Sequence, residues 1–228
     1  AAPAAPAADP AVVDAIAAAL RAEIITCGAA RLDGRRLNEY YYYTAAGPLW
    51  LDEAGPTARA AQLRTALQGA QQDGLPPARY RIADIEAHWP LTTAPERACL
   101  DLLLTAAFDR YSRDLRSGQV SPVEADPSWM LLPAAFDPVA ELLAVCTDAE
   151  FSTLLEALAP PHAGYRAART ALARYRHLAA AGGWSPLPVG PALAPGDKHA
   201  QVPMLRARLR LEGDLAFLTL SYGSRYDV

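Results

Sequence analysis

The side chains able to do covalent chemistry in this chain are few. Three cysteines stand at Cys27, Cys99 and Cys146. A catalytic thiol needs a lowered pKa and a base beside it. Cys99 falls beside Leu100 in an apolar run and Cys146 closes a leucine-rich one, which reads as two inert core positions. Cys27 precedes Gly28 at an expected helix C-terminus, where the dipole would raise a thiol pKa. An odd count leaves at least one thiol unpaired within the chain, and a disulfide among the three cannot be paired from sequence. The histidines His88, His162, His177 and His199 lack i, i+4 ligand spacing, so no metal set emerges. His162 reads as a helix start and His177 as a surface residue. Ser221-Tyr222-Gly223-Ser224 is not a nucleophile elbow, and Gly182-Gly183 is no phosphate loop. Asp52-Glu53 reads as an ordinary surface pair. No catalytic, cofactor-binding or metal residue is therefore assigned, and no cofactor is expected.

Arginine is the remaining functional material. Arg110, Arg113 and Arg116 recur at i, i+3 and i+6 on one predicted helix; Arg166, Arg169 and Arg176 line another. Such rows can meet carboxylates or other anions. They equally form solvated faces with local pairs such as Asp109–Arg113, and that reading is preferred. Of 21 basic residues only Lys198 is lysine, and 25 acidic residues leave a net charge of −4. This is no field for nucleic acid.

The elements that must hold these groups read as helices broken by proline and glycine. Asp9-Pro10 starts a helix whose face is Val13, Ile16, Ala17, Leu20 and Ile24, ending near Cys27-Gly28. The four tyrosines Tyr40 to Tyr43, before Gly47-Pro48-Leu49-Trp50-Leu51, favour an extended or irregular packed segment, with helix over 37–45 as the rival. Thr57 caps a helix facing inward with Leu63, Ala66, Leu67 and Ala70, closed by Gly74. Thr93 and Glu96 have capping-box spacing ahead of a long helix over 94–117, with a stripe of Leu100, Leu103, Leu104, Ala107, Phe108, Tyr111 and Leu115. Asp137-Pro138 starts a short helix with Val139, Leu142 and Leu143. Asp148 caps another, carrying Phe151, Leu154, Leu155 and Leu158. A helix over 162–181 would bury Tyr165, Ala168, Leu172, Tyr175 and Ala179. Prolines leave 184–203 irregular, and a last helix spans 201–211. The fold class is mostly α: an irregular multi-helix scaffold with Pro/Gly-rich connections. At 228 residues and 52% hydrophobic, the chain can bury a substantial core. No run is long and apolar enough to cross a bilayer.

Several phrases, taken in order, carry a resemblance. They are Gly47-Pro48-Leu49-Trp50-Leu51, Asp73-Gly74-Leu75, Asp101 to Phe108, Asp114-Leu115, Ala171-Leu172, Gly182-Gly183-Trp184, Arg208-Leu209 and Gly213-Asp214. Over roughly residues 40 to 214 the chain resembles the N-terminal scaffold region of large periplasmic murein L,D-transpeptidases. The resemblance implies a helical domain spanning 11–214 behind an Ala/Pro tether at 1–10. It also implies a link at 215–228 toward a peptidoglycan-binding domain, whose first residues Tyr226-Asp227 resemble. In that family a separate β-rich domain carries a Ser-His-Gly-Cys segment, whose thiolate attacks a tetrapeptide stem, releases D-alanine and passes the acyl group to an amine. None of Cys27, Cys99 and Cys146 follows Ser-His-Gly. The resemblance thus implies a chain inactive by itself, with its parent a transferase of cell-wall cross-linking. It implies a periplasmic location, and as partners the catalytic and peptidoglycan-binding domains of the same parent together with peptidoglycan. Ala1 to Pro10 then reads as a mature periplasmic end or a trimmed one. The alternative function is a self-standing periplasmic helical module that binds peptidoglycan or a protein. The tyrosine run departs from the family pattern.

Overall fold

The computed structural model describes residues 9–90, 92–131, 135–145 and 147–215. Among these, ten α-helices and two short antiparallel hairpins make the protein mostly α. In chain order the elements are α1 (Pro10–Ala19), β1 (Ile24–Cys27), β2 (Ala30–Asp33), α2 (Gly34–Tyr41), β3 (Leu51–Asp52), β4 (Gly55–Pro56), α3 (Ala58–Gly69) and α4 (Ile82–His88). They continue with α5 (Ala94–Ser117), α6 (Pro122–Ala125), α7 (Pro138–Ala144), α8 (Asp148–Leu158), α9 (Ala163–Ala180) and α10 (Val202–Glu212). The contacts divide the chain into two units, Ala1–Arg169 and Thr170–Val228.

In the first unit α5 is the central helix. Thr93 and Glu96 close the expected capping box at its start, and Gly118 takes the C-terminal position with φ +84°. The whole expected stripe is buried, but so are Asp101, Leu102, Thr105 and Ser112. A helix stretch buried almost all round, as residues 100–108 are, must be enclosed rather than laid on a surface. Accordingly α1, α2, α3, α4, α7 and α8 all pack against it. Trp50 and Phe108 have ring centroids 5.9 Å apart, and Phe151 of α8 meets both at 5.4 and 6.0 Å. These tilted and edge-on contacts suit the ring quadrupoles and join the Gly47–Leu51 segment, α5 and α8.

The N-terminal segment departs from the sequence reading. Asp9 caps α1 as expected, its carboxylate accepting from the Ala11 N–H. The helix then stops at Ala19, with Val12 rather than Val13 on the buried side. Ile24–Cys27 is a strand, not the helix end expected at Cys27-Gly28, and it pairs Ile24 with Asp33 and Cys27 with Ala30. The β-branched run Ile24-Ile25-Thr26 favours extended chain. Gly28, at φ +58°, supplies the left-handed residue that a two-residue hairpin turn requires. Ile25, Cys27, Ala30 and Leu32 point inward while Ile24 is 52% exposed, reversing its expected core position. At the end of the hairpin Gly34 donates its N–H to the Glu23 carbonyl at 2.8 Å. A Cβ there would lie 2.0 Å from the Ala22 carbonyl oxygen, so only glycine fits.

The tyrosine run is helical, which corrects the extended reading. Tyr40 and Tyr41 end α2 and are buried; Tyr42 and Tyr43 begin a 3₁₀ turn (Tyr42–Thr44) and are 80% and 73% exposed. Helical rotation separates the two pairs onto opposite faces. Thr57 and Asp137 cap α3 and α7 as expected, and Gly74 is left-handed. For α8 the cap is Thr147, in a box with Glu150 that outcompetes Asp148, which becomes the first helical residue. No residue of α9 is buried, against the expected stripe. Alanines and amphipathic tyrosines give that face little apolar area to drive burial.

In the second unit α10 closes at Gly213 in a left-handed cap, near the expected end, and Val202 is buried. Residues 184–197 carry no helix or strand, as the prolines require. Trp184 meets Tyr175 edge-on at 6.2 Å, with the Arg208 guanidinium 4.9 Å from its ring centre. Cys146, Ser221 to Ser224, Phe217 to Leu220 and Tyr226-Asp227 lie outside the described residues.

Candidate functional site

The group with the most unusual surroundings is Asp101, fully buried in the middle of α5. Its Oδ1 accepts from the Tyr41 hydroxyl at 2.5 Å and the Leu49 N–H at 3.0 Å; its Oδ2 accepts from the Trp50 N–H at 2.8 Å. One turn on, Thr105 Oγ1 lies 2.7 Å from the Tyr41 hydroxyl and accepts from the Trp50 indole N–H at 2.9 Å. Thr105 itself donates to the Asp101 carbonyl at 3.0 Å. Burial raises the Asp101 carboxyl to about 6, against the pull of the hydrogen bonds from Tyr41, Leu49, Trp50 and Leu51. Burial and the adjacent Asp101 push the Tyr41 phenol well up. A carboxylate saturated by donors this way has no lone pair facing an opening. It fastens the Gly47–Leu51 segment to α5.

A second cluster lies at the edge of the same helix. Asp109 Oδ1 accepts from Arg36 at 2.6 and 3.0 Å, from the Tyr40 hydroxyl at 2.7 Å and from Arg113 at 3.2 Å. Burial would raise this carboxyl, but the Arg36 and Tyr40 hydrogen bonds and the two arginine charges outweigh it and hold it below the usual range. Further along, Asp114 accepts from Tyr80 at 2.9 Å and Arg79 at 3.3 Å.

The residues singled out by type fall into place separately. Cys27 and Cys99 are joined in a disulfide, their Cα atoms 5.4 Å apart, tying β1 to α5. Neither thiol is free. His88 bonds the Asp84 carbonyl through Nδ1 at 2.8 Å. His162 immediately precedes α9, His177 is exposed, and His199 Nδ1 accepts from the Gln201 N–H at 3.2 Å. Among the described residues no three His, Cys, Asp or Glu cluster as a metal set. The expected Asp109–Arg113 pair is present, and Arg116 donates to the Ala157 carbonyl at 3.3 Å. Arg169 pairs with Asp73 at 2.9 Å, where Tyr165 also donates at 2.8 Å; Arg166 donates to the Pro161 carbonyl at 2.6 Å. Sequence reasoning missed Asp101 and Thr105. Their i, i+4 spacing inside the otherwise apolar run from Leu100 to Phe108 was the available signal.

The Scaffold domain family matches residues 35–172, from α2 through the Gly47–Leu51 segment and α5 into α9. The chain belongs to that family, consistent with the scaffold region of L,D-transpeptidases that its motifs resemble. The match ends before the phrases from Gly182 onward. No curated protein and no solved structure matches the chain significantly.

Proposed function

We propose that this chain is the non-catalytic scaffold part of a periplasmic peptidoglycan L,D-transpeptidase. Its role is to hold the catalytic and peptidoglycan-binding domains of the same parent chain. The observation that carries this reading is the Scaffold domain match over residues 35–172. Two features support it. The polar groups of the core, centred on Asp101, are spent on fastening one segment to another. The Cys27–Cys99 bond suits an oxidising compartment and removes two thiols from nucleophilic chemistry.

The test is incubation of the purified chain with tetrapeptide muropeptides and, separately, with a carbapenem, followed by mass spectrometry. No cross-linked product and no covalent adduct are expected. A stoichiometric adduct on a cysteine overturns the non-catalytic reading. The transpeptidase parentage fails if the coding sequence continuing past Val228 lacks a Ser-His-Gly-Cys segment.

A further inference from the structure

A cleft of about 540 Å³ opens beside β2, α2, the 3₁₀ turn Pro77–Tyr80 and α5. That volume is in the range of small-molecule sites. Six arginines and three aspartates line it, in a chain whose overall charge is −4. The carboxylates are already committed. Asp33 caps α2 through the Arg36 N–H at 3.1 Å. Asp109 is shared by Arg36 and Arg113 through one oxygen, and Asp114 is held by Tyr80 and Arg79. Glu39 and Asp84, outside the lining, take one contact each from Arg36 and Arg81.

Two guanidiniums are left over. Arg31 projects from the outward face of β2 and Arg110 from α5, and neither side chain has a partner among the described residues. Arg81, the residue before α4, has φ +53°, a left-handed conformation that a non-glycine residue holds only where the surroundings fix it. Its guanidinium donates to the Arg31 carbonyl at 3.2 Å, bracing the strand that carries Arg31. Free guanidiniums lining one cavity, beside carboxylates already committed elsewhere, match a ligand with separated oxyanions, because each fork takes one such group bidentately.

We propose that this cleft binds a small polyanion bearing two or more carboxylate or phosphate groups, held by Arg31 and Arg110. This inference does not depend on the transpeptidase reading.

The experiment is isothermal titration calorimetry on the full oxidised chain, with sodium pyrophosphate in one arm and citrate in the other. One-to-one binding of at least one anion is expected, weakening as salt is raised. Arg31→Ala/Arg110→Ala should lose at least about tenfold in affinity, since each removed contact is a charge-assisted hydrogen bond. Its melting temperature should match the parent chain, because neither side chain supports the fold. Arg21→Ala, outside the cleft, should bind as the parent does. Binding of pyrophosphate alone assigns a phosphate ligand; binding of citrate alone assigns a carboxylate ligand. Silence in both arms, or equal affinity in the double variant, overturns the proposal.

Discussion

The four consecutive tyrosines allow one substitution to be tried in four environments. In Tyr41→Phe the lost hydroxyl is the one that donates to the buried Asp101 carboxylate at 2.5 Å. Its neighbours are not orphaned: Asp101 keeps the Leu49 and Trp50 N–H groups, and Thr105 keeps the Trp50 indole. The loss is therefore close to one hydrogen bond to a charged group, about 2 kcal/mol. Tyr40→Phe removes a bond to Asp109, which retains Arg36 and Arg113 and is nearer solvent, so about 1 kcal/mol is expected. Tyr42→Phe and Tyr43→Phe alter exposed rings and should stay within about 0.5 kcal/mol of the parent. Against a stability of about 5–15 kcal/mol, the first change is easily seen. Urea unfolding followed by far-ultraviolet circular dichroism, with the disulfide intact, should move the Tyr41→Phe midpoint down by about 1 M at unchanged slope. Equal midpoints across the four variants, or a Tyr42→Phe loss as large as that of Tyr41→Phe, would refute the reasoning.

Other expectations follow from the same structure. Asp101 sits at about 6 in the fold against an ordinary value of 3.8. Its contribution is fully present below about pH 4 and is lost as pH rises through 6, a change of about 3 kcal/mol. Asp101→Asn lacks this dependence. The stability gap between parent and variant should therefore be wider at pH 4 than at pH 7; a pH-independent gap in urea titrations would reject the assignment. Reducing the Cys27–Cys99 bond releases a closed loop spanning a sequence separation of 72, worth up to about 4 kcal/mol in chain entropy. A melting temperature unmoved by dithiothreitol would contradict this. Gly34→Ala drives a methyl group into the Ala22 carbonyl and should cost about 1–3 kcal/mol through forced backbone displacement, read as a lowered urea midpoint.

The helices whose ends carry chemistry were legible. Thr57, Thr93 with Glu96, Asp137 and Gly74 all act where the sequence placed them, because caps are local. The β1–β2 hairpin was not. Strands of four residues alternate too briefly to compete with a helical spacing that happens to run from Val13 to Ile24. The α9 stripe had the right period but too little apolar area to be covered. Asp101 was hidden for a different reason: its partners at Leu49 and Trp50 lie about fifty residues away in sequence, and no local rule connects them. The Cys27–Cys99 pairing is of the same kind, since three thiols fix no partner choice until the hairpin meets α5.

That pairing also changes what cutting the chain would mean. The covalent ring closed at Cys27 and Cys99 contains β2, α2, the Gly47–Leu51 segment, α3 and α4. A protease that nicks any single peptide bond inside it separates nothing while the sulfurs stay joined. The two pieces remain one molecule: a cut between Gly28 and Pro48 leaves Asp101 on the same piece as its donors Leu49 and Trp50, and a cut between Leu51 and Cys99 leaves it on the other piece, joined through the sulfurs. Only reduction turns the nick into a severed chain, so a cut in this region can release a piece only where the Cys27–Cys99 bond is reduced.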